Sequence, residues 1–317
     1  EHCGPEYDND IGYRTEDEFQ EWKKKDPIKI QKKRTDKLSS YIDKEIIVKE
    51  IEEVFTYAIN APFPKKENAA EYVYADSKIE ESIRPINSDR FISYSEAIRE
   101  AQNHSLEEDE SVYLMGLGVP DPKGIFGTTI GLQERYGEER VFDIPLSEHA
   151  ITGVAIGSAI SGDRPILTHQ RVDFALVSID QIVNQAAKWH YMFNGGMSVP
   201  LVIRLIIGRG WGQGPQHSQS LHAWFGHIPG LKVVMPATAY DAKGMLQSAV
   251  EDNNPVIFIE HRWLHGVKDI VPKESYKASL NKARIVRQGK DITLIGISYM
   301  TLECIRASKA LESCGVD

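Results

Sequence analysis

Between Phe91 and His261 the chain alternates short apolar runs with amphipathic ones, and this alternation limits the possible folds more than any other feature. SYSEAIREAQNHSL reads as a helix and SVYLMGLG as a strand. Helix SEHAITGVAIGSAI, strand RPILTH, helix LVSIDQIVNQAAKWHYMF and strand VPLVIRLII follow. After a glycine-rich loop come strand KVVMP, helix AYDAKGMLQSAVED and strand PVIFIEH. Strands joined by helix-length crossovers pair in parallel, so the pattern predicts an α/β fold with a parallel sheet flanked by helices. RPILTH and VPLVIRLII are apolar nearly throughout, as strands covered on both faces are.

The flanks differ in texture. Residues 1–85 are polar and rich in lysine and glutamate, and predict an N-terminal helical extension. Phe19 and Trp22 lie three apart, as on one helix face, and Pro27 ends or restarts that helix. Ile47, Ile51, Val54, Phe55 and Ala58 mark one face of a second helix, and NAPFPKK reads as a linker. Residues 86–262 hold the alternating domain and 263–290 read as a crossover linker. Residues 291–317 open a second α/β unit with one strand and one helix, which cannot close a core by itself. The chain starts at Glu1 rather than Met and stops just after a helical pattern, so the expectation is a piece cut at both ends.

Charge and composition exclude several classes. A net charge of −9 argues against a general nucleic-acid binder. No apolar run reaches the ~18 residues of a membrane span, and EHCGPEYDND lacks a basic-then-apolar leader. Cys3, Cys304 and Cys314 have no CxxC spacing, so they predict reduced thiols in a cytoplasmic-type protein.

Three segments carry chemistry. In DIPLSEHAITGVAIGSAISG, Ser147 can cap a helix whose first turn holds Glu148, just after a strand. Gly153 and Gly157, like Ala155 and Ala159, repeat at i,i+4 and make a small-residue face. Ligands of open α/β sheets bind at the carboxyl ends of strands, where Glu148 falls. In IIGRGWGQGPQHSQS, Gly208, Gly210, Gly212 and Gly214 form a loop able to take positive φ, and His217 follows as a possible proton shuttle. The loop is neither a Walker motif nor a Rossmann fingerprint. In VDFALVSIDQ, Phe174 lies between strand and helix, where its ring can stack on a ligand or fill the core. Taken one at a time, a helix-start glutamate, a turn histidine and a core aromatic account for each of these.

Their order and wording together carry more. The run from RVFDIPLSEHAITGVAIGSAISGDRPIL through DQIVNQAAKWHYMFNGG, PLVIR and QHSQS to PGLKVVMPATAYDAKGMLQSAVEDNNPVIFIEHRWL resembles the beta subunit of pyruvate and branched-chain 2-oxo-acid dehydrogenases. The resemblance covers about Phe91 to Asp317. The stretch from EHCGPEYDNDIGYR to APFPKK resembles the end of the alpha subunit, which implies an alpha–beta fusion fragment.

The resemblance implies a transketolase-like pyrimidine-binding domain and thiamine diphosphate as cofactor. Glu148 then donates a proton to the aminopyrimidine nitrogen remote from the amino group, with burial raising its pKa. Phe174 packs on the pyrimidine, and His217 orients the intermediate and assists acyl transfer to a lipoyl group. Leu201, Ala249, Val250, Asp252 and Asn254 fall where the family can hold a structural monovalent cation such as K+. An unfilled helix cap explains the DNN turn equally well. Two departures stand out. Leu117 and Gly118 replace acidic residues after the first strand. The GDG motif for Mg2+ and diphosphate is missing, since Gly162–Asp163 runs into Arg164. The implied partners are therefore an alpha-type diphosphate-binding domain, further copies in a homo- or hetero-oligomer, and the lipoyl domain of an acyltransferase. A transketolase-type thiamine-diphosphate ligase of a biosynthetic pathway and a non-catalytic module are the alternatives.

Overall fold

A computed structural model describes residues 10, 12, 14–35, 43–77, 79 and 88–317. The chain divides into two compact units, Glu1–Ala69 and Ala70–Asp317. Cys3 and most of EHCGPEYDNDIGYR lie outside the described residues; Cys304 and Cys314 are free thiols.

The first unit holds helices α1 (Glu16–Lys24), α2 (Pro27–Thr35) and α3 (Lys44–Asn60). Thr15 caps α1 by accepting from the Glu18 N–H, with acidic residues in the first turn and lysines in the last, as the helix dipole favours. Pro27 starts α2 instead of extending α1. Asp43 caps α3, whose apolar residues Ile47, Ile51, Val54 and Phe55 all stay exposed.

The second unit is built on a parallel sheet. Its strands are β2 (Val112–Met115), β3 (Val141–Phe142), β4 (Arg164–His169), β5 (Val202–Ile207), β6 (Lys232–Val234) and β7 (Val256–His261). They lie in the order β3-β2-β4-β5-β7-β6. A separate antiparallel pair joins β1 (Phe91–Ser93) to β8 (Lys268–Ile270). Helix α4 (Tyr94–Glu108), held by a Ser93–Glu96 capping box, and helix α6 (Ala239–Glu251) cover one face of the sheet. Leu114, Ile166, Val202 and Phe258 point into that layer. Helix α5 (Glu148–Ile160) and the segment after β4 cover the other face, against Met115, Leu167, Ile203 and Ile257. Alternate residues of one strand thus enter two cores, which is why β4 and β5 show no polar face.

The topology fixes where a ligand fits. The chain leaves β2 for β3 on one side, then crosses back to β4 on the other. A crevice opens outside the carboxyl ends of β2 and β4 at that reversal.

Four local features differ from the sequence reading. The helix expected over LVSIDQIVNQAAKWHYMF breaks into a 3-10 turn (Val172–Leu176), a π-helical turn (Gln181–Ala186) and a short α-turn (Trp189–Met192). The wide turn lets Ile182, Ala186 and Ala187 all face the core. The strand expected at the start of 291–317 has no ladder partner among the described residues, although its helix α7 (Tyr299–Ser313) forms. Residues 263–290 supply β8 and Tyr276, which stacks on Tyr240 at 4.5 Å, so this segment packs on α6. Residues 72–77 of the expected tail also dock: Asn254 accepts from the Ala75 N–H and donates to the Ala75 carbonyl.

Candidate active site

The loops after β2, β3 and β4 meet at the crevice. Gly116 ends β2 because a Cβ there would stand 2.4 Å from the Thr168 carbonyl. The Gly118 N–H donates to Asp143 after β3, and Gln170 after β4 donates to the Leu117 carbonyl (both 2.9 Å). These bonds tie three strand ends into one rim. The cleft they enclose is small, about 10 Å3, with Leu117, Ile144, Leu146, His169, Gln170 and Phe174 among its walls. Glu148 lines it too, as the first residue of α5.

Glu148 is half-buried in the isolated chain rather than enclosed. Ser147 occupies the cap position, but its hydroxyl makes no capping bond; the Ser147 carbonyl instead accepts from Ile151. The expected Ser147 side-chain cap is absent, because Ser147 has ψ 57 instead of the extended value such a cap uses. The small-residue face of α5 divides. Ala155 and Ala159 are core, Gly153 faces the Gln181 amide, and Gly157 opens to solvent.

The loop after β5 closes against the segment after β4 through three contacts. Gln213 accepts from Arg171, Gln219 donates to Asp173 (2.7 Å), and His217 meets the Phe174 ring edge-on at 5.3 Å between centroids. Gly208 (φ +136) and Gly210 (φ +102) give this loop a path closed to most L residues. Glu148 and Phe174 therefore share one cleft, and His217 is held against its Phe174 wall.

Sequence reasoning passed over three features of this rim. His169 is 4% exposed, and its Nε2 has no hydrogen-bond partner among the described residues. Burial lowers its pKa to about 4, so it is neutral near pH 7. Arg171 is also 4% exposed, with Nη1 lacking a partner. Beneath the rim, Arg204 is fully buried. It bonds Glu260 (2.7 Å), Gln102 (2.7 Å) and Thr128 (3.0 Å). Burial pushes the Glu260 pKa up, but Arg204 and His265 outweigh it and hold the carboxyl below its usual value. The available signal was THQR itself, a polar run ending an apolar strand.

The expected cation residues also come together. Leu201, Ala249, Val250, Asp252 and Asn254 are all buried around the turn from α6 to β7. Arg164 donates to the Val250 carbonyl (2.9 Å) and the Asp252 carbonyl (3.2 Å), and Lys232 pairs with the Asp252 carboxylate (2.6 Å). The Leu201 carbonyl accepts from Val256. The positive Arg164 and Lys232 side chains thus already serve these oxygens, and each carbonyl keeps one further lone pair. Among the described residues there is no group of three or more His, Cys, Asp or Glu side chains that could hold a metal. Asp163, in the only Gly-Asp pair, accepts from Ser158 (2.6 Å) and is committed to the α5 end. No helix of the described residues is long and apolar enough to cross a membrane.

Fold and site together define a parallel α/β domain with a small cleft at its topological switch point. Residues 90–266 match the family model described as transketolase, pyrimidine binding domain, and the chain belongs to that family. It is 44% identical over 223 residues to the pyruvate dehydrogenase E1 component subunit beta of Rhizobium meliloti, covering 70% of this chain and 48% of that protein. It is 42% identical over 226 residues to the 2-oxoisovalerate dehydrogenase subunit beta of Bacillus subtilis, covering 71% and 69%. It is also 42% identical over 238 residues to the acetoin:2,6-dichlorophenolindophenol oxidoreductase subunit beta of Cupriavidus necator, covering 72% and 70%. The chain thus spans about half the length of the first of these relatives. A solved structure described as a split gene transketolase, inactive beta4 tetramer, superposes with a TM-score of 0.59 at 21% identity, over 71% of this chain and 68% of that one. That likeness speaks to the fold alone.

Proposed function

We propose that this chain supplies the pyrimidine-side half of a thiamine-diphosphate site in a 2-oxo-acid dehydrogenase component that decarboxylates its substrate and passes the acyl group to a lipoyl arm. One observation carries the reading: Glu148 and Phe174 share the switch-point cleft, with His217 against the Phe174 ring. The residues fit an aminopyrimidine. A carboxyl, an aromatic face and apolar walls surround the cleft, and His169 Nε2 is a buried polar atom without a partner among the described residues.

When bound, thiamine diphosphate supplies a carbon nucleophile and an electron sink for decarboxylation. Glu148 holds a proton at the pyrimidine nitrogen remote from the amino group. Phe174 orients the ring by stacking. His217, an imidazole able both to donate and to accept, holds or delivers a proton beside the acyl carbon. Leu117 and Leu146 give the cleft mouth apolar walls.

Mg2+ and the diphosphate belong, in this reading, to an alpha-type domain in another chain or elsewhere in the same polypeptide, since Asp163 is committed to Ser158. That domain closes over Glu148, which accounts for a carboxyl half-exposed here. The assembly is a homo- or hetero-oligomer served by a lipoyl domain. K+ at Leu201, Ala249, Val250, Asp252 and Asn254 is part of the same proposal. Glu148→Gln in the complete enzyme should abolish carbon dioxide release from every 2-oxo acid tested. Near-normal release in that variant refutes the assigned role.

A further inference from the structure

At the rim, two arginines stand together without an anion. Arg171 follows β4 and Arg262 follows β7. Their guanidinium groups share the same two rings. Arg171 lies 5.7 Å from the Phe126 centroid and 5.5 Å from that of Trp211; Arg262 lies 4.3 Å and 5.8 Å from the same centroids. Among the described residues no carboxylate is within salt-bridge range of either. Glu260, on the same strand end as Arg262, is bonded to Arg204. Asp173 spends one oxygen on Gln219 and leaves the other buried without a partner. Arg171 Nη2 donates to Gln213, while Nη1, in a residue 4% exposed, has no acceptor among the described residues.

This arrangement is costly as it stands. Burial, and then the charge of Arg262, push the Arg171 guanidinium below its ordinary pKa. Two aromatic faces offset part of that cost through cation–π attraction. An unpaired buried donor still leaves its lost hydration uncompensated. A planar fork with free donors beside a second cation is suited to an oxyanion, which accepts from both in charge-assisted bonds. The position also matters: Gln170, adjacent to Arg171, lines the Glu148 cleft, and Gln213 sits on the loop that carries His217.

We propose that Arg171 and Arg262 form an oxyanion-binding subsite beside the Glu148 cleft, and that it takes a carboxylate or phosphate group of the substrate. The second half of this proposal rests on the thiamine-diphosphate reading; the subsite itself does not.

The test titrates the 317-residue chain with inorganic phosphate and, separately, succinate at constant ionic strength set with chloride. Trp211 fluorescence is the signal, because that ring contacts both guanidiniums; calorimetry gives the stoichiometry. The expected result is saturable one-to-one binding, weakened at least about ten-fold in Arg171→Met and in Arg262→Met. The tighter of the two probes names the acid group. Glu148→Gln should keep the response, so failure of the cofactor reading and failure of the subsite are separable. Trp211→Phe should lose the fluorescence change but keep the calorimetric binding, which preserves the test if an arginine variant misfolds. No saturable binding to the wild-type chain, a response equalled by chloride, binding unaffected by both arginine substitutions, or loss of calorimetric binding in Trp211→Phe overturns the proposal.

Discussion

His169 shows how one side chain can report on the whole domain. It is buried and neutral, with a pKa of about 4 against an ordinary 6.5. The unfolded chain therefore binds a proton between those values that the folded chain refuses. Stability is full above pH 6.5 and falls as pH drops towards 4, by about 3 kcal/mol at most from this group. His169→Phe keeps a ring of similar size and removes the titration. Urea denaturation from pH 7 to pH 4 should show a shallower loss in the variant, by about 2–3 kcal/mol across that interval. Equal slopes would mean that the imidazole is solvated. Glu260 works the other way round in origin: Arg204 stabilises its charged form. Arg204→Met leaves that carboxylate buried without its guanidinium partner and should destabilise the fold by about 3–5 kcal/mol, read as a drop in the urea midpoint.

Elements meet the site through their ends. Gly116 lets β2 turn against β4, and a methyl group there collides with backbone, not with a movable side chain. Gly116→Ala should cost about 2 kcal/mol or more and push Leu117 into the cleft, detectable as a lower melting temperature. Where α6 ends, the last carbonyls need donors, and Arg164 supplies them from the adjacent strand β4. The same turn uses Asn254 to fasten residues 72–77, so a segment outside the alternating pattern becomes part of the domain edge. If a hard cation also uses these carbonyls, replacing KCl by choline chloride at equal ionic strength should lower the melting temperature by a few degrees. An unchanged melting temperature would assign the turn to Arg164 and Lys232 alone.

For the molecule as a whole, Ala70–Asp317 contains both hydrophobic cores and every residue of the candidate site. A chain cut before Ala70 should retain the far-ultraviolet signal of the α/β domain and a melting temperature within a few degrees. Loss of cooperative unfolding would mean that the first unit is needed for the second to fold. The apolar face of α3, exposed over Ile47, Ile51, Val54 and Phe55, is consistent with a helix that gains its stability from packing partners.

The sequence by itself determined the parallel sheet, the positions of its six strands but for the brief β3, and the helices α4, α5 and α6, because periodicity and strand apolarity are local properties written residue by residue. It also singled out Glu148, Phe174 and His217, since a glutamate at a helix start, an aromatic after a strand and a histidine after a glycine loop are visible in short windows. Only the tertiary structure decided that the last two touch, that His169 Nε2 and Arg171 Nη1 lack partners among the described residues, and that Arg171 and Arg262, 91 positions apart, share two rings. The same holds for the unpaired run at 291–297 and the docked segment 72–77. Pairing, burial and charge proximity depend on distance in space. That distance is fixed by the order in which strands assemble, which no window of the chain contains.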